Sequence, residues 1–194
     1  MRGLALIFKV CRGIASILMR LGYRHRTGID PLIAVALYLF PQKILRINGM
    51  TTWPVDFRSK VTFPQRITVG TFCFPGLSPG CYIQGKNGIH FGDNVRLGPN
   101  VGIISANHSL DDYEDHIPTD PIEIGDNVWI GMNSVVMPGV KIGNNVVIGA
   151  GSVVTRDIPP NSIAVGNPCK VRREKEPYTG IPGVKIYGPE NLTQ

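Results

Sequence analysis

The chain predicts an all-β fold, a parallel β-helix of hexapeptide repeats preceded by an N-terminal helical extension, and three observations carry that expectation. Ile124, Ile130, Val136, Ile142, Ile148 and Val154 fall six residues apart without a slip, and Gly125, Gly131, Gly143 and Gly149 directly follow four of them. The same count runs through Phe91, Leu97 and Ile103. A six-residue period excludes an α-helix, because the apolar residue would visit a different face at each recurrence. An antiparallel sandwich would show alternation at period two and irregular spacing instead. The period fits a triangular coil in which each hexad supplies one flat side and points its aliphatic residue inward. Gly-Asp, Gly-Asn and Pro-Gly pairs then turn the corners, where positive φ or a side chain bonded to its own backbone is tolerated. Three hexads complete a turn, so Ile124 should stack on Ile142 and Ile130 on Ile148.

At 194 residues, 43% of them hydrophobic, the chain suffices for one domain with appendages. Residues 1–66 hold 11 Lys and Arg against Asp30 and Asp56, whereas the remainder holds 9 against 12 acidic residues. The basicity belongs to the N-terminal segment and points to an anionic surface or partner for it. Nucleic acid is disfavoured, because no binding motif or stacking-aromatic pattern accompanies the charge. Cys11, Cys73, Cys81 and Cys169 form neither a metal-type pair nor a dense disulfide framework, which reads as a reducing cytoplasm.

In order, residues 1–42 form the helical segment, 43–169 the coil and 170–194 a tail. Residues 2–22 place Leu4, Ile7, Phe8, Cys11, Ile14, Ala15 and Leu18 on one side and Arg2, Lys9, Arg12, Ser16 and Arg20 on the other. Charge interrupts this run too often for a bilayer span, and no small-residue cleavage site follows. A second helix is expected from Pro31 to Phe40, with Asp30 as N-cap and Pro31 at the first helical position. Two readings stay open for both helices: docking on the domain, or peripheral contact with the inner face of the cell membrane or a lipid-linked glycan. From Lys43 to Val69 the pattern is alternating and β-rich, interrupted by Pro54 and Pro64.

The register breaks once. Ile103 and Ile124 lie 21 residues apart where the period calls for six, so residues 106–121 make a long polar excursion. An insertion ejected from a rigid scaffold commonly carries function. His108 stands at its first step, and histidine is the side chain suited to take a proton from a hydroxyl near neutral pH. A surface histidine without a role is the alternative.

The hexads, the His108 excursion, Asn127-Val-Trp-Ile-Gly131, the run from Ile148 to Pro160 and Ala164-Val-Gly-Asn-Pro-Cys-Lys-Val-Arg172 resemble the left-handed parallel β-helix acyltransferases. The branch they most resemble is the sugar O-acetyltransferases: the maltose, galactoside and nodulation enzymes and those that decorate capsule or lipopolysaccharide. The match covers about residues 80–173. Residues 1–60 look more like the polysaccharide-modifying members. The resemblance implies direct transfer of acetyl from acetyl-CoA to a carbohydrate hydroxyl, without metal, in a homotrimer whose active sites lie between subunits. It implies His108 as general base, worth roughly 10²- to 10⁴-fold in rate. It also implies that Trp129 walls the acetyl and pantetheine channel, and that the Met132 N–H meets the oxyanion. Ala150 would lie along the pantetheine arm, with Thr155, Arg156 and Arg173 near the adenosine phosphates. A core or interface aromatic is the alternative for Trp129, and a solvated basic C-terminus, Lys170 to Lys175, is the alternative for Arg156 and Arg173.

One departure concerns the acceptor. Galactoside-type enzymes have an asparagine and an aspartate upstream of the base, where this chain has Ser78 and Lys86. Ser78, Tyr82, Gln84 and Asn107 are the candidates to bind the acceptor, with Asn87 as a further substitute. Asp111, Asp112, Glu114 or Asp115 could orient His108. The competing functions are a non-catalytic trimeric scaffold and a γ-carbonic-anhydrase-like metalloenzyme. The latter needs three zinc-binding histidines in a spacing that His90, His108 and His116 do not reproduce. A serine-acetyltransferase-like enzyme would need a larger helical N-terminal domain.

Overall fold

The computed structural model describes residues 11–15, 17 and 31–180. Residues 11–15 and 17 are helical; Asp30 and most of the segment 2–22 lie outside the described residues. Helix α1 (Pro31–Ala34) passes directly into a π-helical run, Val35–Ile44. The helix therefore extends beyond Phe40. Pro41 has no N–H for an α-helical bond, and the run is wound in wider turns, closed by the Leu45 N–H on the Phe40 carbonyl at 3.2 Å.

Three parallel sheets form the sides of a prism. Sheet A stacks β1 (Lys60–Thr62), β3 (Tyr82–Gln84), β6 (Gly102–Ile104), β9 (Val135–Val136) and β12 (Val153–Val154). Sheet B stacks β2 (Ile67–Val69), β4 (Ile89–Phe91), β7 (Ile122–Ile124) and β10 (Lys141–Ile142). Sheet C stacks β5 (Arg96–Leu97), β8 (Trp129–Ile130), β11 (Val147–Ile148) and β13 (Ser162–Val165). From β3 onward the chain visits A, B and C in turn, so each strand pairs with the one a full coil away. Ile124 pairs with Ile142 and Ile130 with Ile148, as the period requires. The excursion leaves after β6, and the chain rejoins in register, with Ile122 beside Ile89 and Ile124 beside Phe91. The tail begins with structure of its own: β14 (Lys170–Glu174) returns antiparallel along β13 and closes the last edge of sheet C.

The interior is aliphatic and nearly dry. Ile83, Ile89, Ile103, Ile122, Ile130 and Ile148 are all 0% exposed. A second inward column stands four residues after the first: Val95, Val101, Val128, Val140 and Val146 are each at most 3% exposed. Two coils replace that valine by Ser134 and Ser152, whose hydroxyls both donate to the Gly149 carbonyl at 3.0 and 2.6 Å. Cys73, Cys81 and Cys169 are free thiols in this interior, and burial raises their pKa, which suits packing rather than nucleophilic work.

The corners divide their labour differently from the sequence expectation. Positive φ falls on the asparagine two places after the hexad apolar-plus-glycine start: Asn94, Asn127, Asn133 and Asn145 have φ of 54–59°. The hexad glycine itself serves close approach. A Cβ on Gly131 would lie 2.5 Å from the Ala150 nitrogen, and one on Gly143 2.5 Å from the Pro160 nitrogen, so backbone packs on backbone from coil to coil. The two roles separate experimentally. Gly131→Ala should lower stability by about 1–3 kcal/mol, because the Ala150 and Gly149 atoms it would meet are main chain and cannot swing aside. Gly151→Asn, at a corner with φ of 69° and nothing within 4 Å of the added Cβ, should change stability by less than about 0.5 kcal/mol. Chemical denaturation of the two variants measures both.

Candidate functional site

The excursion is a tongue whose root is clamped to the coil. Gln84 on β3 uses both ends of its amide on Ala106: the Ala106 N–H donates to Oε1 at 2.8 Å, and Nε2 donates to the Ala106 carbonyl at 3.3 Å. The tongue then folds on itself. The Ile117 N–H donates to the Asn107 carbonyl at 2.9 Å, His108 and His116 form an antiparallel bridge, and the Ser109 N–H donates to the Asp115 carbonyl at 2.9 Å. On the returning side, Asn87 Nδ2 donates to the Ile117 carbonyl and to Thr119 Oγ1, both at 3.0 Å. Thr119 in turn donates to the Ser105 carbonyl at 3.1 Å.

His108 sits exposed on this tongue, its ring 4.1 Å from the His116 ring at an interplanar angle of 44°. His108 Nδ1 is hydrogen-bonded to the Tyr113 carbonyl. A carbonyl only accepts, so Nδ1 carries the proton, and in the neutral ring Nε2 keeps its lone pair for a base's task. The group that orients the imidazole is therefore main chain, not one of the carboxylates Asp111, Asp112, Glu114 or Asp115. Those side chains are exposed, and Asp112 Oδ1 accepts from the Glu114 N–H at 2.9 Å within the tongue's own turn. The tight turn that brings the Tyr113 carbonyl to the ring sends the carboxylates to solvent. His116 Nδ1 is buried without a hydrogen-bond partner among the described residues.

The remaining candidates distribute over the prism. Tyr82 and Gln84 point to the outer face of sheet A, since Ile83 between them is 0% exposed, and Tyr82 is 39% exposed beside Gly102. Gln84, Asn107 and His108 thus come together at one end of β3 and β6. Ser78 does not offer its hydroxyl outward: Oγ donates to the Leu97 carbonyl at 2.6 Å. Trp129 lies on the outer face of sheet C between Arg96 and Val147 and is 56% exposed, which sets aside the reading of it as a core aromatic. Met132 and Ala150 are exposed at the next corner, between sheets C and A. The Met132 carbonyl accepts from the Gly151 N–H at 2.9 Å, while its N–H donates to no group among the described residues. Thr155 and Arg156 follow β12 at the corner between A and B, the corner of the excursion, two coils further on. Arg173 is exposed on β14 opposite Ile163, bordering a cleft that also includes Lys175 and Tyr178.

His108 and the group Trp129, Met132 and Ala150 therefore occupy different sides of a single prism. The outer faces also differ chemically. Sheet B presents Thr68, His90, Glu123 and Lys141, with Lys141 Nζ 3.2 Å from Glu123 Oε1. Sheet A presents half-buried Ile104, Val135, Met137 and Val153, and sheet C presents Val147 and Ile163 beside Trp129. Sequence reasoning missed the Tyr113 carbonyl, the His116 ring and the Asn87 staple on the tongue. Two histidines eight residues apart within one polar excursion were the only available signal. Among the described residues no group of three or more His, Cys, Asp or Glu is placed to hold a metal ion.

Residues 121–156 match the bacterial transferase hexapeptide (six repeats) family. A putative acetyltransferase of Schizosaccharomyces pombe is 54% identical over 91 residues, which are 45% of this chain and 44% of that protein. The chain thus matches about half the length of the curated relatives it resembles, 44% and 43% for the first two. Among solved structures, a maltose O-acetyltransferase from Clostridium difficile 630 superposes with a TM-score of 0.57 at 34% identity, over 86% of this chain and 87% of that one. A galactoside acetyltransferase in complex with coenzyme A superposes with a TM-score of 0.59 at 31% identity, over 85% of this chain and 80% of that one.

The tongue geometry predicts one spectroscopic outcome. Nitrogen-15 spectra of the imidazoles near neutral pH should show the unprotonated nitrogen of neutral His108 to be Nε2. A protonated Nε2 beside a bare Nδ1 would contradict the bond to the Tyr113 carbonyl.

Proposed function

The chain belongs to the hexapeptide-repeat acetyltransferases, and on that premise we propose that it moves an acetyl group from acetyl-CoA to a hydroxyl of a sugar or cell-surface polysaccharide precursor. The observation that carries the reading is His108 on its clamped tongue, with Nδ1 occupied by the Tyr113 carbonyl and Nε2 left for the acceptor. Similarity to the maltose and galactoside enzymes supports a carbohydrate as that acceptor.

In the proposed step His108 Nε2 takes the proton of the acceptor hydroxyl as the oxygen attacks the thioester carbonyl. The Met132 N–H, unpaired among the described residues, stabilises the oxyanion. Collapse breaks the carbon–sulfur bond, and His108 returns its proton to the departing thiolate. Atoms and charge balance through these groups, so the step as written needs no metal. Exposed Trp129 walls the channel for the acyl-pantetheine arm, small Ala150 lets that arm lie along the coil, and Thr155, Arg156 and Arg173 meet the adenosine end. Asn107, next to His108 in the chain, and Tyr82, exposed on the outer face of β3, contact the acceptor.

A homotrimer of left-handed coils completes the site. His108 and Trp129 lie on different sides of one chain, and the half-buried Ile104, Val135, Met137 and Val153 on sheet A and Val147 and Ile163 on sheet C suit contact between copies, whereas the Glu123–Lys141 pair on sheet B suits solvent. Supply of acetyl-CoA places the reaction in the cytoplasm. Nucleic acid has no part in it.

Two variants test the reading through acceptor-dependent thiol release from acetyl-CoA. His108→Ala should lose roughly 10²- to 10⁴-fold in kcat and still bind coenzyme A. Equal rates would overturn the base assignment, and thiol release absent from the unaltered protein on every sugar tried would favour a scaffold. Gln84→Leu should lower kcat by roughly 10- to 100-fold, through loss of the Ala106 clamp, with the KM for acceptor little changed. A selective rise in that KM would instead make Gln84 a substrate-binding residue.

A further inference from the structure

The helical run before the coil is anchored by its polar residue and turns its greasiest side chains outward. Its buried side is Ala34, Tyr38 and Gln42, at 1%, 7% and 0% exposure. Gln42 is the bolt. Its Nε2 donates to the Trp53 carbonyl at 2.8 Å and to Thr51 Oγ1, and its Oε1 accepts from the Val55 N–H at 3.2 Å. The opposite side and the turn beyond it carry Phe40, Ile44, Leu45, Ile47 and Met50, at 50%, 67%, 56%, 37% and 78% exposure. A folded chain gains nothing by holding five large apolar side chains in water on a firmly pinned element.

We propose that this patch is a docking surface for an anionic lipid bilayer, with Phe40, Ile44, Leu45, Ile47 and Met50 entering the acyl boundary and Arg46 and Lys43 meeting headgroup phosphates. Charge selects the occupant. No acidic residue occurs from Pro31 to Val55, and residues 1–66 carry 11 Lys and Arg against two acids. A second copy of the same face would bring like charges together, whereas an anionic interface takes both the apolar tips and the cations. Lys43 Nζ donates to the Thr51 carbonyl at 3.2 Å, which holds its charge at the patch edge. Arg58 is already engaged with Asp56 at 2.9 Å and adds little. Among the described residues no helix is long and apolar enough to cross a membrane. This inference does not rest on the acetyl-transfer reading.

The test is sedimentation of the full chain with phosphatidylcholine vesicles, with and without phosphatidylglycerol, at low and high salt. Binding should require phosphatidylglycerol and weaken as salt rises. Combined Phe40→Ser, Ile44→Ser and Met50→Ser substitutions should reduce it at least about tenfold, with thiol release in solution retained. Arg46→Glu, which leaves the apolar patch intact, should reduce it roughly fivefold or more. His108→Ala should bind vesicles as the unaltered protein does, which separates this inference from the catalytic one. Equal sedimentation with both vesicle types, or unchanged binding in the triple and Arg46 variants, overturns the proposal. A triple variant that keeps vesicle binding but changes oligomeric size would reassign the patch to contact between copies.

Discussion

Everything in this molecule depends on how closely one coil can lie on the next. At Gly131 and Gly143 the neighbouring coil's backbone occupies the space a Cβ would need, 2.5 Å from the Ala150 nitrogen and from the Pro160 nitrogen respectively. That approach lets Ile130 and Ile148, or Ile124 and Ile142, stack in register inside the prism. The inner ladder of isoleucines and the second column of valines then exclude water along the described coils, each fully buried side chain contributing about 1.5–3 kcal/mol. Asparagines at positive φ turn the corners beside the glycines, so closeness and curvature are assigned to different residues.

A scaffold so repetitive has few ways to hold a chemical group in one place, and the tongue shows how it is done. The excursion begins and ends on adjacent sheets in unbroken register, so its two ends are as rigid as the coil. Gln84 and Asn87, from the preceding coil, grip the outgoing and returning limbs through backbone atoms and Thr119. His108 therefore follows the clamped Ala106 by only two residues, although it is exposed. Rigid support of an exposed imidazole is what a positioned base requires, because small displacements of a reacting group cost large factors in rate.

The faces of the prism complete the division. The outside of sheet B carries an ion pair, half-buried aliphatic side chains stand on the outsides of A and C, and an exposed tryptophan stands on C beside Arg96, on another side of the prism from the histidine tongue. The proposed base and the proposed acyl channel thus lie apart on one chain, and the proposed trimer would join them between copies. The N-terminal run follows a separate logic: it is pinned by Gln42 and offers apolar and basic side chains away from the coil.

Counting residues gave the period, the hexad aliphatics that face inward, the stacking partners and the place of the excursion, but not the second column of valines. The former follow because a six-residue repeat stacks on itself every three hexads whatever else the chain does. His108 was legible as a candidate base because it opens the long polar break in that count and matches the family resemblance. Tertiary structure alone decided what holds it. The Tyr113 carbonyl that orients the ring is a group every residue possesses, so no residue type marks it. Gln84 reads in sequence as a polar side chain free for a ligand, yet both ends of its amide meet Ala106, 22 residues away. The helix past Phe40 and the strand Lys170–Glu174 escaped for the same reason: Pro41 and a basic tail carry weak local preferences, and the contacts of Gln42 and the open edge of β13 overrode them. Local periodicity can write a coil, but where a tongue or tail returns is settled by contacts the period does not contain.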